Sequence, residues 1–174
     1  MLSGKHAYIG LGSNLGSRLK NLRQSLTLLS KMKKIEIKAV SPIYETEPVG
    51  GPAQGYYLNA CAFLLTDLPP GTLLQAMLEI EDRIGRLRTE RWGPRTIDLD
   101  LLVYEGLITN TPLLTLPHPR LAGRCFVLIP LADIAPDLVI PGENKTVRRL
   151  LAECQSNEDV RYYLPADWPV NYSN

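Results

Sequence analysis

A chain of 174 residues fits one domain of ordinary size, and its 45% hydrophobic and 21% charged residues match a packed globular protein rather than a disordered one. With 19 basic residues against 18 acidic ones the formal net charge is +1, which excludes a general polyanion coat and a polybasic membrane binder. No nucleic-acid or membrane partner is expected. The first residues lack the charged and apolar segments of a signal peptide. Cys61, Cys125 and Cys154 are odd in number, far apart and without a CxxC pair. They are expected to be buried free thiols in a reducing cytoplasm. His6 and His118 are the only histidines, too little for a Cys/His zinc site.

In chain order, Ala7 to Leu11 is a short apolar run entering a Gly/Asn turn and reads as a strand. Leu19, Leu22, Leu26 and Leu29 recur at helical spacing, so an amphipathic helix begins near Ser17. Ile35, Ile37 and Ala39 alternate with charged residues, a strand running toward Tyr44. Glu47 to Pro52 is a Gly/Pro-broken loop, and Tyr57 to Leu65 an apolar central strand. Pro70 opens a second helix whose apolar face carries Leu73, Leu74, Met77, Leu78, Ile80 and Ile84. A charged loop from Arg86 to Thr96 precedes a strand from Ile97 to Tyr104, with a turn at Glu105-Gly106.

The order β, α, β, β, α, β is that of a ferredoxin-like split βαβ fold, an α+β antiparallel sheet with helices on one face. Extra helices follow: Leu121 to Ile134, interrupted by Pro130, and Thr146 to Glu153. Residues 1–155 are expected to form the domain and 156–174 a polar tail, adherent or frayed.

The most informative segment is Thr96-Ile97-Asp98-Leu99-Asp100-Leu101-Leu102-Val103. Alternate residues of a strand share a face, so Ile97, Leu99, Leu101 and Val103 point one way and the two aspartates the other. Carboxylates about 6.5 Å apart on one strand face repel each other unless a cation lies between them, and oxygen ligands at that spacing suit Mg²⁺. Just upstream, Arg83, Arg86, Arg88, Arg91 and Arg95 crowd one loop region around Trp92. Arginine grips phosphate oxygens bidentately. Together with a carboxylate pair these arginines make a site for a polyphosphate and its metal.

Three weaker signals accompany it. Gly10-Leu11-Gly12-Ser13-Asn14-Leu15-Gly16 is either a strand-to-helix turn or a local phosphate contact, and its G-x-G-x-x-x-G spacing is one residue too long for a dinucleotide fingerprint. Tyr57 and Asn59 share a strand face, as a slot for a flat heterocycle would require, though a plain strand face reads the same way. His118, between two prolines with Arg120 and Arg124 following, is either structural or on the phosphate side.

The blocks Tyr8 to Gly16, Arg91-Trp92-Gly93-Pro94-Arg95-Thr96-Ile97-Asp98-Leu99-Asp100 and Pro117-His118-Pro119-Arg120 together resemble the 6-hydroxymethyl-7,8-dihydropterin pyrophosphokinase family of folate biosynthesis. The resemblance runs from about Tyr8 to about Leu151. It implies transfer of the β,γ-pyrophosphoryl group of ATP to the pterin hydroxymethyl oxygen, release of AMP, and two Mg²⁺ ions held by Asp98 and Asp100. By the family pattern Arg86 and Arg95 act on the phosphates. Glu81, Arg88, Trp92, Ile97, His118 and Arg124 belong to the ATP side. Thr46, Pro48, Val49, Tyr57, Asn59, Trp92, Asp98 and Phe126 receive the pterin. Leu78 and Pro119 depart from the family pattern, which favours polar or aromatic residues there.

Two other classes compete. A single-stranded RNA module also presents aromatics on such a sheet, but an aspartate pair there repels a phosphate backbone unless metal is present. A nicotinamide oxidoreductase would rest on the Gly-rich loop alone.

Overall fold

The computed structural model describes residues 4–85 and 93–168. Its centre is β1 (Lys5–Ser13), buried along most of its length and paired antiparallel on both sides. On one side lies β5 (Asp98–Tyr104), on the other β4 (Tyr57–Thr66). β2 (Ile35–Val40) and β3 (Ile43–Thr46) both pair with β4, one after the other, and β10 (Val160–Leu164) adds to β3. The stretch read as one strand toward Tyr44 is thus two. Pro42 has no N–H for the ladder, and the Ser41 hydroxyl accepts from the Cys61 N–H at 2.9 Å, filling the gap.

Helices α1 (Arg18–Ser30) and α2 (Pro70–Ile84) cover one face of the sheet. Leu22, Leu26 and Leu29 of α1 and Leu73, Met77 and Ile80 of α2 pack on Ile9, Leu58, Leu64, Leu99 and Leu101. Pro70 starts α2 where a missing N–H costs nothing, and Gly85 ends it in the left-handed region at φ 93°. The expectation of helices on one face holds for these two alone. α3 (Cys125–Ile134) and α4 (Val147–Glu153) pack on the opposite face, where Leu128, Leu131, Val147 and Leu150 meet Tyr8, Cys61 and Leu102. Two small hairpins complete the fold: β6 (Thr109–Asn110) with β7 (Thr115–Leu116), and β8 (Val139–Ile140) with β9 (Lys145–Thr146).

The strict alternation expected of the aspartate strand breaks at its far end. Ile9 pairs with Leu101 but Tyr8 with Val103, so Leu102 is an extra residue on β5. Leu102 and Val103 therefore both enter the α3/α4 core, and Tyr104 returns to the α1/α2 core. Asp98 and Asp100 lie before the bulge and keep their shared face.

The cysteines correct a second expectation. Cys61 is free and buried, but Cys125 and Cys154 form a disulfide. They are 29 residues apart in sequence, yet α3 begins where α4 ends, and their Cα atoms lie 6.0 Å apart.

Residues 160–168, after α4, are part of the packed structure. β10 extends the sheet, and Trp168 is 3% exposed within the α1/α2 core. Its indole N–H donates to the Ser41 carbonyl at 2.8 Å, and its own carbonyl accepts from Arg23 Nε at 2.7 Å. Trp168→Ala should lower the unfolding free energy by about 3–5 kcal/mol, as truncation of a buried aromatic does. Urea denaturation measures this, and a loss under ~1 kcal/mol would show that the indole is not part of the cooperative core.

Candidate active site

The α3-side face of the sheet is left open at one end, and a cleft of about 580 Å³ lies there. Strand register builds its floor. Asp98 stands opposite Gly12 and Asp100 opposite Gly10 across the β1–β5 ladder. Across the β1–β4 ladder the same two glycines stand opposite Asn59 and Cys61. A side-chain-free lane therefore separates the carboxylates from the amide. A Cβ on Gly12 would come within 3.3 Å of Asn59 Oδ1 and 3.7 Å of the Tyr57 ring, and one on Gly10 within 3.9 Å of Asp100 Cβ. Both glycines lie inside β1, not in a strand-to-helix turn. The turn glycine is Gly16, at φ 68°.

Asp98 and Asp100 share the cleft as their spacing requires. Burial foremost, then the neighbouring Asp98 charge, raises the Asp100 pKa to about 7, against the opposing pull of Arg124 and Arg95. Arg95 donates to Asp98 Oδ2 at 2.7 Å. Its backbone is held by Asn14, whose Oδ1 accepts from the Arg95 N–H at 2.7 Å and whose own N–H donates to the Arg95 carbonyl at 3.1 Å. Asn14 Nδ2 donates to Gln54 and to the Gly55 carbonyl, so one amide joins the loop after α2 to the loop after β3.

On the far wall stand His118, Arg120, Arg124 and Phe126. β7 and the Leu102 carbonyl, which accepts from the His118 N–H at 2.8 Å, set the first of these. His118 Nδ1 accepts from the Arg120 N–H at 3.2 Å, so the neutral ring carries its proton on Nε2. Burial first, then the Arg124 and Arg120 charges, lowers the His118 pKa to about 4. The Arg124 guanidinium lies 5.6 Å from the Phe126 ring centre.

Thr46, Pro48, Val49, Tyr57 and Asn59 also line the cleft. Asn59 Nδ2 donates to Thr46 Oγ1 at 2.7 Å, which fixes the amide with its oxygen toward Gly12. The cleft thus joins the two aspartates, Arg95, His118 and Arg124 with the whole described ring-binding set. Glu81 and Ile97 do not line it: Glu81 is 1% exposed and accepts from the Leu99 N–H at 2.7 Å, and Ile97 is in the α1/α2 core. Arg86, Arg88 and Trp92 lie outside the described residues.

Sequence reasoning missed the floor glycines, Asn14 as a strap and the contribution of Glu158 to the cleft. The Gly-x-Gly alternation within an apolar run was the available signal for the first. Nothing local marks the other two.

Guanidinium groups, a carboxylate pair and aromatic rings share one enclosure, the set that a phosphate-bearing ligand beside a flat heterocycle requires. That defines a transferase acting between a phosphate-bearing donor and a flat heterocycle. Residues 8–136 match the family model of 7,8-dihydro-6-hydroxymethylpterin-pyrophosphokinase. The chain is 42% identical over 164 residues to the 2-amino-4-hydroxy-6-hydroxymethyldihydropteridine pyrophosphokinase of Synechocystis sp., covering 94% of this chain and 80% of that one. To the protein of the same name from Methylorubrum extorquens it is 47% identical over 147 residues, covering 84% and 92%. Among solved structures, wild-type Plasmodium falciparum HPPK-DHPS with pteroate superposes with a TM-score of 0.70 at 16% identity, over 88% of this chain and 43% of that one. The chain belongs to the 7,8-dihydro-6-hydroxymethylpterin-pyrophosphokinase family. It is a pyrophosphoryl transferase of folate biosynthesis.

Gly12→Val should raise KM for the pterin at least about tenfold, the equivalent of ~1.4 kcal/mol, by filling the lane beside Asn59. Steady-state kinetics at saturating ATP read this, and an unchanged KM would mean the pterin does not lie over the floor glycines.

Proposed function

We propose that this cleft carries the reaction with its ligands divided end to end: pterin between Tyr57 and Phe126, ATP phosphates over Asp98 and Asp100. What most supports the division is the glycine lane, which leaves room for transfer between an acidic row and an amide. Asn59, Thr46 and the backbone near Pro48 and Val49 read the pterin edge. Arg95, Arg124 and His118 face the phosphates, the neutral His118 as a hydrogen-bond donor through Nε2–H.

The pterin hydroxymethyl oxygen attacks the β-phosphorus of ATP in line. The bond from that phosphorus to the oxygen bridging the α-phosphate breaks, AMP departs with the bridging oxygen, and the hydroxyl proton is lost. Positioning and charge neutralisation do most of the work in such transfers. Asn14 supports this by tying the Arg95 backbone to the loop beside the pterin end.

Among the described residues no three His, Cys, Asp or Glu side chains converge as a metal site. Two adjacent carboxylates are nonetheless the protein share that Mg²⁺ takes when phosphates and water complete its shell. The raised Asp100 pKa fits as well, because two close carboxylates ask for a cation. Asp98 and Asp100 would hold Mg²⁺, two ions by the family pattern, and bound Mg²⁺ would neutralise charge on the phosphates. We read Arg86, Arg88 and Trp92 as contributing to ATP binding, with Glu81 and Ile97 supporting the aspartate strand from behind. We read the chain as a cytoplasmic monomer with the ferredoxin-like βαββαβ order, β2 and β3 counting as one strand. Among the described residues no helix is long and apolar enough to cross a membrane.

Incubation with Mg-ATP and 6-hydroxymethyl-7,8-dihydropterin should yield AMP and the pterin diphosphate, and formation of ADP instead would overturn the reaction. Asp98→Ala and Asp100→Ala should each lower kcat by at least about a thousandfold with the fold intact. Near-normal turnover in either would refute the assignment of the carboxylates.

Asp100, whose pKa is about 7, would have to give up its proton to hold Mg²⁺. Affinity for Mg-nucleotide should therefore fall up to about tenfold per pH unit below 7 and level off above it. Titration calorimetry from pH 5.5 to 8.5 checks this, and Asp100→Asn should flatten the dependence. A wild-type profile already flat across pH 7 would show that the Asp100 carboxyl is ionised there and that its pKa is not raised to about 7.

A further inference from the structure

Glu158 occupies a short bridge between two fixed points. Four residues before it, Cys154 is bonded to Cys125 at the start of α3. Two residues after it, Val160 pairs with Thr46 at the end of β3. Anchored at both ends, the bridge runs along the cleft and Glu158 forms part of its wall. Its neighbours Asn157 and Asp159 are exposed, whereas Glu158 is half-buried, with Ser156 Oγ donating to its carboxylate at 3.3 Å. The family match ends at residue 136, so this wall lies beyond the matched residues.

The opposing charge is Arg124. Burial foremost, then Arg120, lowers the pKa of that guanidinium, while Asp100, Asp98 and Glu158 pull it up. Glu158 and Arg124 line the same cleft, so the carboxylate offsets part of the positive charge that Arg124 presents there. The same carboxylate repels any polyphosphate that comes to Arg124, and repels it in proportion to the negative charge the polyphosphate still carries.

We propose that Glu158 is a specificity-determining residue that favours metal-complexed ATP over metal-free ATP by setting a repulsive charge beside Arg124. The inference rests on the reading of Arg124 as a phosphate ligand. Removing the carboxylate relieves the more highly charged ligand most, and salt weakens the difference because the bridge is near solvent.

The test is equilibrium binding by titration calorimetry with ATP in EDTA and with an unreactive ATP analogue in excess Mg²⁺. Glu158→Gln should tighten metal-free ATP about tenfold at low ionic strength and the Mg²⁺ complex by about threefold or less, with both gains shrinking at 0.5 M salt. Glu158→Asp should keep the wild-type preference. Glu143→Gln, which removes the same charge from the exposed turn between β8 and β9, should change neither affinity. The inference fails if Glu158→Gln tightens neither ligand, tightens both equally, or is matched by Glu143→Gln. Arg124→Ala separates the two layers. Weaker ATP binding in that variant beside a silent Glu158→Gln overturns this inference alone, whereas unchanged ATP binding overturns the phosphate role of Arg124 and the inference with it.

Discussion

The register of β1 between its two neighbours is the constraint on which the rest depends. Two backbone ladders place Gly10 and Gly12 under the cleft, with acids across one ladder and Asn59 and Cys61 across the other. A slip of one residue would turn the glycines into the α1/α2 core and bring Ile9 and Leu11 up into the substrate lane. The hydrophobic effect guards against that slip, since Ile9, fully buried, and Leu11 would lose their packing against α1 and α2. Core burial on one face thus fixes the geometry of chemistry on the other.

The bulge at Leu102 is a second consequence of that pairing. The first part of β5 must present two charged groups to a cleft, while its end must bury Leu102 and Val103 beneath α3 and α4. Inserting one residue satisfies both on a single strand. Glu81 supports the junction from the opposite side, where it accepts the Leu99 N–H within the sheet's covered face.

Much of this was legible in the sequence because it is periodic or local. Apolar runs located β1 and β4, alternation located β2, period 3.6 located α1 and α2, and the shared face of Asp98 and Asp100 followed from alternation along β5. What escaped depends on distances between elements. The Cys125–Cys154 bond follows from how α3 meets α4, not from the residues beside either cysteine. The split at Ser41-Pro42 was visible as a proline, yet its meaning lies in the Cys61 N–H and the Trp168 indole that converge on Ser41. Val160-Arg161-Tyr162-Tyr163-Leu164 carries strand-forming residues, but their partner is a segment more than a hundred residues earlier. Tertiary pairing of that kind leaves no periodic trace.

Trp168 also has a bearing on the order of events during synthesis. The α1/α2 core has its seat for the indole prepared by Ser41 and Arg23, both made early, and the plug arrives among the last residues described. β1 likewise waits for β5 before its second edge is covered. Long-range closures of this kind are slow and leave strand edges open while the chain is incomplete. Until residues 98–104 and 160–168 have been made and are free to fold back, the sheet therefore stays unfinished and this core unfilled.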